Sequence, residues 1–161
     1  MLRFRIVRLK HLYYVFNDVL EMTYRLLVNY NDGFLSNLPS SPINLLTVPT
    51  RYYVAFSLTN GKLCSDTSFK VENDIYLNVL GVIGVNVRRS LIEHLCVHRE
   101  FRRRGVGSEL VKHVLLVLKE DKDYVRTYVK KDNFIGLNFF TKLGFIIIGK
   151  TESSFLLERE L

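Results

Sequence analysis

Apolar residues recur along this chain with two periods, and the switches between them mark the elements. Leu2 to Val7 alternates, with Phe4 and Ile6 on one face, and predicts a first strand. From Lys10 to Tyr30 the spacing changes to three and four. Leu12, Val15, Phe16, Val19, Leu20, Thr23, Leu26 and Leu27 then form one helical stripe. Asn29 to Asp32 supplies a stop, with Gly33 behind it. Phe34 to Thr50 holds all three prolines, Pro39, Pro42 and Pro49, and reads as loop with one helical turn around Ile43 to Leu46. Arg51 to Leu58 is aromatic and β-branched enough for a strand. Asn60-Gly61 signals a tight turn, and the polar run Leu63 to Asp74 a hairpin extension or loop. Tyr76 to Val87 is the next strand, in which Gly81 and Gly84 indicate a bend or a close neighbour.

The second half repeats the contrast more sharply. Leu91 to Val97 is an apolar strand reached through a turn at Arg88 to Ser90. After Gly107 a helix opens, with Leu110, Val111, Val114, Leu115, Val117 and Leu118 as its stripe, and it runs to Glu120. Tyr124 to Val129 is a strand, Ile135 to Leu143 a short helix, and Gly144 its C-cap. Phe145 to Gly149 and Ser154 to Arg159 close the chain as paired strands. The order β-α-(loop)-β-β-β-α-β-α-β-β is that of a mixed α/β (α+β) sheet in one domain spanning 1–161, with no internal repeat or linker.

Composition narrows this picture in three ways. At 161 residues the chain can bury a substantial core. Two cysteines, Cys64 and Cys96, are too few for a disulfide scaffold, so a reduced, cytoplasmic protein is expected. No apolar run approaches a membrane span, and Met1 to Lys10 has no signal-peptide core. The net charge of +7 favours anionic partners: a phosphorylated cofactor, nucleic acid or an acidic surface.

The cations are concentrated where strand passes to helix, in His98-Arg-Glu-Phe-Arg-Arg-Arg-Gly-Val-Gly107. A helix start presents free N–H groups and the positive end of the macrodipole, worth about 0.3–1 kcal/mol toward an anion and up to about 2 when partly buried. Gly105 and Gly107 leave the backbone approachable, and Arg102, Arg103 and Arg104 add charge, a combination suited to a diphosphate. Arg102-x-x-Gly105-x-Gly107 resembles the Q/R-x-x-G-x-G/A signature of the GNAT superfamily, the acetyl-coenzyme-A-dependent N-acetyltransferases. A second block, Asn133-Phe-Ile-Gly-Leu-Asn-Phe-Phe-Thr-Lys-Leu-Gly-Phe145, resembles that family's N-x-x-A-x-x-L-Y-x-K-x-G-F. Asn133, Lys142, Gly144 and Phe145 match, and Gly136 stands for the small residue.

The resemblance implies a mostly antiparallel central sheet flanked by helices, with acetyl-coenzyme A as co-substrate. It further implies that the backbone of Leu95, Cys96 and Val97 pairs with the pantetheine arm. The amides from Arg103, Arg104, Gly105, Val106 and Gly107 to Ser108 would cradle the pyrophosphate, with Arg102 opening the signature. Asn133 and Phe140 complete the implied cofactor site. Acetyl transfer to an amine needs a base, and strand alternation puts Glu93 on the Val97 side with His94, Cys96 and Ile92 opposite. Glu93 is the candidate base, directly or through one water; the alternative is that it binds an acceptor ammonium or pairs with a cation. The family's usual tyrosine acid is Phe140 here, which has no proton to give. The leaving thiolate would then need solvent, a backbone donor or another tyrosine. Tyr128, five before Asn133, occupies a strand position that resembles the one holding a catalytic histidine in some N-terminal acetyltransferases; it is the candidate acid, against a plain packing role, and a slow enzyme is expected. Cys96 reads as core or pantetheine lining rather than nucleophile, and the four histidines show no metal-ligand spacing. The expected partner is an amine acceptor, with a peptide N-terminus or lysine favoured, and a homodimer built on the last two strands is allowed. The competing reading is a weakly active or inactive binding protein on the same fold, with nucleic acid the less favoured partner.

Overall fold

A computed structural model describes residues 2–30 and 38–161. Eight strands form one sheet in the order β1-β2-β4-β5-β6-β8-β7, with β3 paired to β4 beside that path. The strands are β1 Arg5–Arg8, β2 Thr50–Asn60, β3 Ser68–Glu72, β4 Ile75–Asn86, β5 Leu91–Val97, β6 Tyr124–Lys130, β7 Ile146–Lys150 and β8 Ser154–Glu160. The helices are α1 Leu9–Val15, α2 Val19–Tyr30, α3 Val106–Leu118 and α4 Phe134–Lys142. Every pairing is antiparallel except β5 with β6.

The sheet buries both faces, which is why β2 and β4 read as nearly continuous apolar runs. One core lies under α3 and α4: Val106, Leu110, Val111 and Val114 pack on Leu80, Ile83, Val125 and Leu157. The other lies under α1, α2 and a 3₁₀ turn at Pro42–Leu46, where Leu9, Leu26 and Leu45 meet Val54, Leu77 and Val82.

Several sequence expectations shift. The single helix over Lys10 to Tyr30 is two, because Phe16 takes an extended conformation and the chain turns through Asn17 and Asp18. Asn and Asp compete locally for backbone hydrogen bonds and are weak helix formers. The break leaves Val15 exposed, although Leu12, Val19, Leu20, Thr23, Leu26 and Leu27 are buried as expected. The first strand is shorter than Leu2 to Val7 predicts, yet Phe4 and Ile6 do pack on one core together. Leu63 to Asp74 contains β3, which shares one edge of β4 with β5: Ser68 faces Asn78, and farther along Gly81 faces Val97. The stop over Asn29 to Asp32 and Gly33, and the start of the proline-rich loop at Phe34, fall largely on residues outside those described.

α4 ends as expected. The Gly144 N–H donates to Thr141 and the Phe145 N–H to Phe140, with Gly144 at φ +88°. This is a Schellman closure, and it returns the chain to the sheet as β7.

Candidate active site

The parallel pairing of β5 with β6 is confined to Leu91↔Arg126 and Ile92↔Thr127. Past those positions β5 continues to Val97 and β6 to Lys130, so the two strands open into a fork. On its other edge β5 stays paired with β4. The His98 N–H bonds back to the Leu80 carbonyl at 2.8 Å. By alternation Val97 and Leu95 turn their backbone groups toward the fork. The Val97 carbonyl there accepts from Arg102 Nε at 3.0 Å.

β5 carries a one-residue irregularity. Gly84 faces His94, but the next residue of β4, Val85, faces Ile92. Glu93 is the extra residue, a bulge, and it resets the alternation. Ile92, Leu95 and Val97 belong to the α3/α4 core, while Cys96 lies in the α1/α2 core. Glu93 and His94 therefore both turn toward the α1/α2 face. Thr50 Oγ1 donates to Glu93 Oε2, and Asn86 Nδ2 donates to Oε1 at 3.4 Å, so both carboxylate oxygens are oriented. The Tyr52 hydroxyl and His94 Nδ1 hydrogen-bond at 3.1 Å. Burial, with the Glu93 charge adding to it, pushes the Tyr52 phenol well above its ordinary pKa and keeps it protonated. The sequence expectation that Glu93 shares a face with Val97 and opposes His94 is thus corrected by the bulge.

Thr50 and Tyr52 also line a cleft of about 140 Å³ against Leu45, Val48 and Pro49. The described part of the proline-rich stretch thus forms one side of this cleft, and Thr50 at its end also holds the Glu93 carboxylate. Tyr128 is half-buried on β6, one residue past the last paired position. Val125 and Val129 point into the α3/α4 core, so Tyr128 faces the other way, to the same side of the sheet as Glu93.

At the far end of β5 the chain makes a 3₁₀ turn at Arg99–Phe101 and then enters α3. The helix opens at Val106, not after Gly107, because Gly105 is its N-cap at φ +85°. Arg103 is also left-handed, at φ +64°. The first intrahelical bond runs from Glu109 N–H to the Gly105 carbonyl, and no side chain caps the end. The N–H groups of Val106, Gly107 and Ser108 thus have no intrahelical acceptor and point out of the helix start. Arg103 and Arg104 are exposed beside them. These features fit a diphosphate: aligned donors, formal positive charge and a backbone without side-chain cover.

The Acetyltransferase (GNAT) family profile matches residues 45–145, which include the cleft wall, the fork and the cradle. This chain belongs to the GNAT acetyltransferase family. Solved structures agree on the fold. Ard1 from Thermoplasma volcanium superposes with a TM-score of 0.67 at 19% identity, covering 99% of each chain. The PaiA N-acetyltransferase from Thermoplasma acidophilum, solved with coenzyme A, gives 0.64 at 16% identity over 99% of this chain and 100% of that one. The ribosomal-protein-S18-alanine N-acetyltransferase from Escherichia coli gives 0.65 at 13% identity, covering 98% and 94%. The family's acetyl donor is acetyl-coenzyme A.

In this GNAT domain the second sequence block forms α4 and its two ends, and Phe140 is the residue that departs from expectation. Asn133 is the N-cap of α4, and its Oδ1 accepts from the Gly136 N–H at 3.0 Å. A Cβ at position 136 would lie 2.5 Å from Asn133 Nδ2, so the small residue belongs to the cap. Phe140, expected at the cofactor, is 1% exposed in the core, edge-on to Phe139 and Phe145. It is Phe139 whose ring approaches Gly107, close to Val97. Cys96 is buried in the α1/α2 core, and by the same alternation its backbone groups, expected to pair with pantetheine, face β4 instead of the fork. Among the described residues no helix is long and apolar enough to cross a membrane, and no group of three or more His, Cys, Asp and Glu could hold a metal.

The sequence reading missed Thr50, Asn86 and Tyr52 as partners of the Glu93 and His94 pair. The available signal was Gly84. A Cβ there would lie 2.7 Å from Tyr52 Cε1 and 3.1 Å from His94 Nδ1. Also missed were Tyr30 and Asp66, which meet His98 at the end of β5.

Proposed function

We propose that this protein transfers an acetyl group from acetyl-coenzyme A to the amine of a peptide or protein, at an N-terminus or a lysine. The observation that carries the reading is the fork between β5 and β6. Glu93, the residue after the last position of β5 paired with β6, carries a carboxylate oriented by Thr50 and Asn86, and a helix start suited to a diphosphate lies beyond the end of the same strand. Acetyl-coenzyme A supplies a thioester whose carbonyl an amine can attack and whose thiolate can leave.

The chain's own residues divide the work. The amides of Val106, Gly107 and Ser108, with Arg103 and Arg104, hold the diphosphate. The fork-facing backbone of Leu95 and Val97 gives the pantetheine arm an edge to follow. Glu93 takes the ammonium proton, directly or through a water, while Thr50 and Asn86 fix its carboxylate. The cleft beside Thr50 and Tyr52 receives the acceptor, whose amine then approaches Glu93 from the α1/α2 side. Tyr128, across the fork on the same face, is the donor to the leaving thiolate, a contribution of roughly 10²–10⁴-fold. The S18-alanine acetyltransferase among the structural relatives supports a peptide acceptor. β7 leaves Ile146, Ile147 and Ile148 exposed on an outer strand, and a dimer would extend the sheet there.

Calorimetry with acetyl-coenzyme A, followed by thiol release across peptide and amine panels, tests the reading. Binding with acceptor-dependent thiol release supports it. Binding without release on any acceptor leaves a cofactor-binding protein, and no binding removes the cradle assignment.

A further inference from the structure

His98 follows the last residue of β5 and is 3% exposed. Its backbone ends the strand: its N–H bonds to Leu80 at 2.8 Å, and its carbonyl accepts from the Phe101 N–H at 2.9 Å. Its ring does two further things. Nδ1 accepts from the Glu100 N–H at 3.2 Å and so caps the 3₁₀ turn. That fixes the hydrogen on Nε2, which lies 2.8 Å from Asp66 Oδ1. The other Asp66 oxygen accepts from the Tyr30 hydroxyl at 2.6 Å, and the Tyr30 and His98 rings stand 4.5 Å apart. The imidazole also meets the Phe101 ring edge-on at 5.9 Å, and the Arg104 guanidinium lies 5.4 Å over the Phe101 ring.

We propose that His98, held by Asp66 and Tyr30, is a positioning residue for the diphosphate cradle. It sets the turn from which Arg102, Arg103 and Arg104 depart, and it orients the Phe101 ring that supports Arg104. The inference rests on the cradle assignment above. It adds residues from α2 and from the segment before β3. The left-handed conformation at Arg103, a non-glycine residue, calls for such anchoring. A loop with such a torsion holds its shape only when its ends are fixed. The exit is fixed by α3, and the entry by two contacts together: Arg102 on the Val97 carbonyl and the turn just before it, capped by His98.

The test compares two ligands that share the thioester arm and differ in the diphosphate: acetyl-coenzyme A and S-acetylpantetheine. Their dissociation constants are measured for the parent, His98→Ala, His98→Asn and Tyr30→Phe. Loss of one or two charge-assisted contacts at the cradle predicts roughly tenfold weaker acetyl-coenzyme A binding in His98→Ala. Binding of S-acetylpantetheine should be unchanged. Asn is a good capping residue, so His98→Asn should recover part of the loss. Tyr30→Phe removes only the phenolic donor and should weaken acetyl-coenzyme A alone, by a smaller factor. It keeps the test decisive should His98→Ala fold poorly. Equal weakening of both ligands, or of neither, overturns the proposal and leaves the cradle assignment standing. A parent that binds S-acetylpantetheine but not acetyl-coenzyme A overturns both.

Discussion

Tyr52 and His94 meet across Gly84. The three residues are adjacent on β2, β4 and β5, Tyr52 facing Gly84 and Gly84 facing His94. The two rings are nearly parallel, with centroids 5.8 Å apart and planes 17° apart, and the hydroxyl reaches Nδ1 over the bare backbone between them. This contact sits on the second residue of the bulge, so it holds the geometry that turns Glu93 to the α1/α2 side.

Gly84→Ala should therefore displace Tyr52 rather than be absorbed. The added Cβ would lie 2.7 Å from Tyr52 Cε1 and 3.0 Å from Thr50 Cγ2, both on side chains that build the site. Overpacking of this kind costs about 1–3 kcal/mol. Denaturant unfolding should show that loss, and the turnover rate should fall as well. Tyr52→Phe keeps the ring and removes one hydrogen bond, about 0.5–1.5 kcal/mol. A Gly84→Ala variant of parent stability would mean that the bulge is not held by this pair.

Position 107 separates binding from folding. A Cβ there would meet Phe139 and Val97 at 3.5 Å, ordinary contact, so the fold tolerates a side chain. Gly107→Glu places a carboxylate among the amides assigned to the diphosphate. Acetyl-coenzyme A affinity should drop at least tenfold by calorimetry while Tm changes little. Gly105→Ala has open space around its Cβ but φ +85° to satisfy. A left-handed L-residue costs about 1–2 kcal/mol, so Gly105→Ala should lower Tm where Gly107→Glu does not.

Asp66 gives stability a defined pH dependence. Burial alone would raise its carboxyl pKa, but the hydrogen bonds from Tyr30 and His98 outweigh burial and hold it below the ordinary value. The group contributes stability above the unfolded carboxyl pKa of about 4, and loses it as pH falls through the folded value. The Tm gap between parent and Asp66→Asn should be open near neutral pH and narrow progressively below about pH 4. Tyr30 acts at the other end. Its bond to Asp66 and its burial push the phenol up to about 12. Its contribution is present below the unfolded phenol pKa of about 10 and is lost as pH rises through 12. A gap that widens on acidification would exclude an ionised Asp66 as the anchor.

What the chain discloses in advance follows from how local each feature is. β5 was legible end to end, because seven residues of strand composition lie between a turn and a cationic loop. The α3 stripe and the Gly144 closure were legible for the same reason. The bulge at Glu93 was not. It is a mismatch of count between β4 and β5, and β5 alone carries no sign of it. The Tyr30, Asp66 and His98 cluster joins positions 32 to 68 residues apart, beyond any periodicity. Phe139 and Phe140 are one residue apart on a helix, and nothing in two adjacent phenylalanines says which one enters the core. The family pattern put weight on the second, and packing sends the first toward Gly107.

The base is the last point to test, and Thr50 makes the test specific. Glu93→Gln keeps shape and hydrogen-bonding atoms but cannot take a proton, so turnover should fall by roughly 10²–10⁴-fold, the range for general acid–base catalysis. Acetyl-coenzyme A affinity should stay at the parent value, since the cradle lies at the other end of β5. Thr50→Val is close to isosteric and removes only the hydroxyl that donates to Glu93 Oε2. It leaves the carboxylate in place with its Asn86 contact at Oε1 but without the Thr50 donor. The expected result is a smaller fall in kcat, about 10-fold, from loosened geometry. Thr50→Ser, which restores the hydroxyl, should recover most of it. Equal losses in Thr50→Val and Thr50→Ser would point to packing in the cleft instead. A Glu93→Gln variant with parent turnover would take Glu93 out of the chemistry altogether.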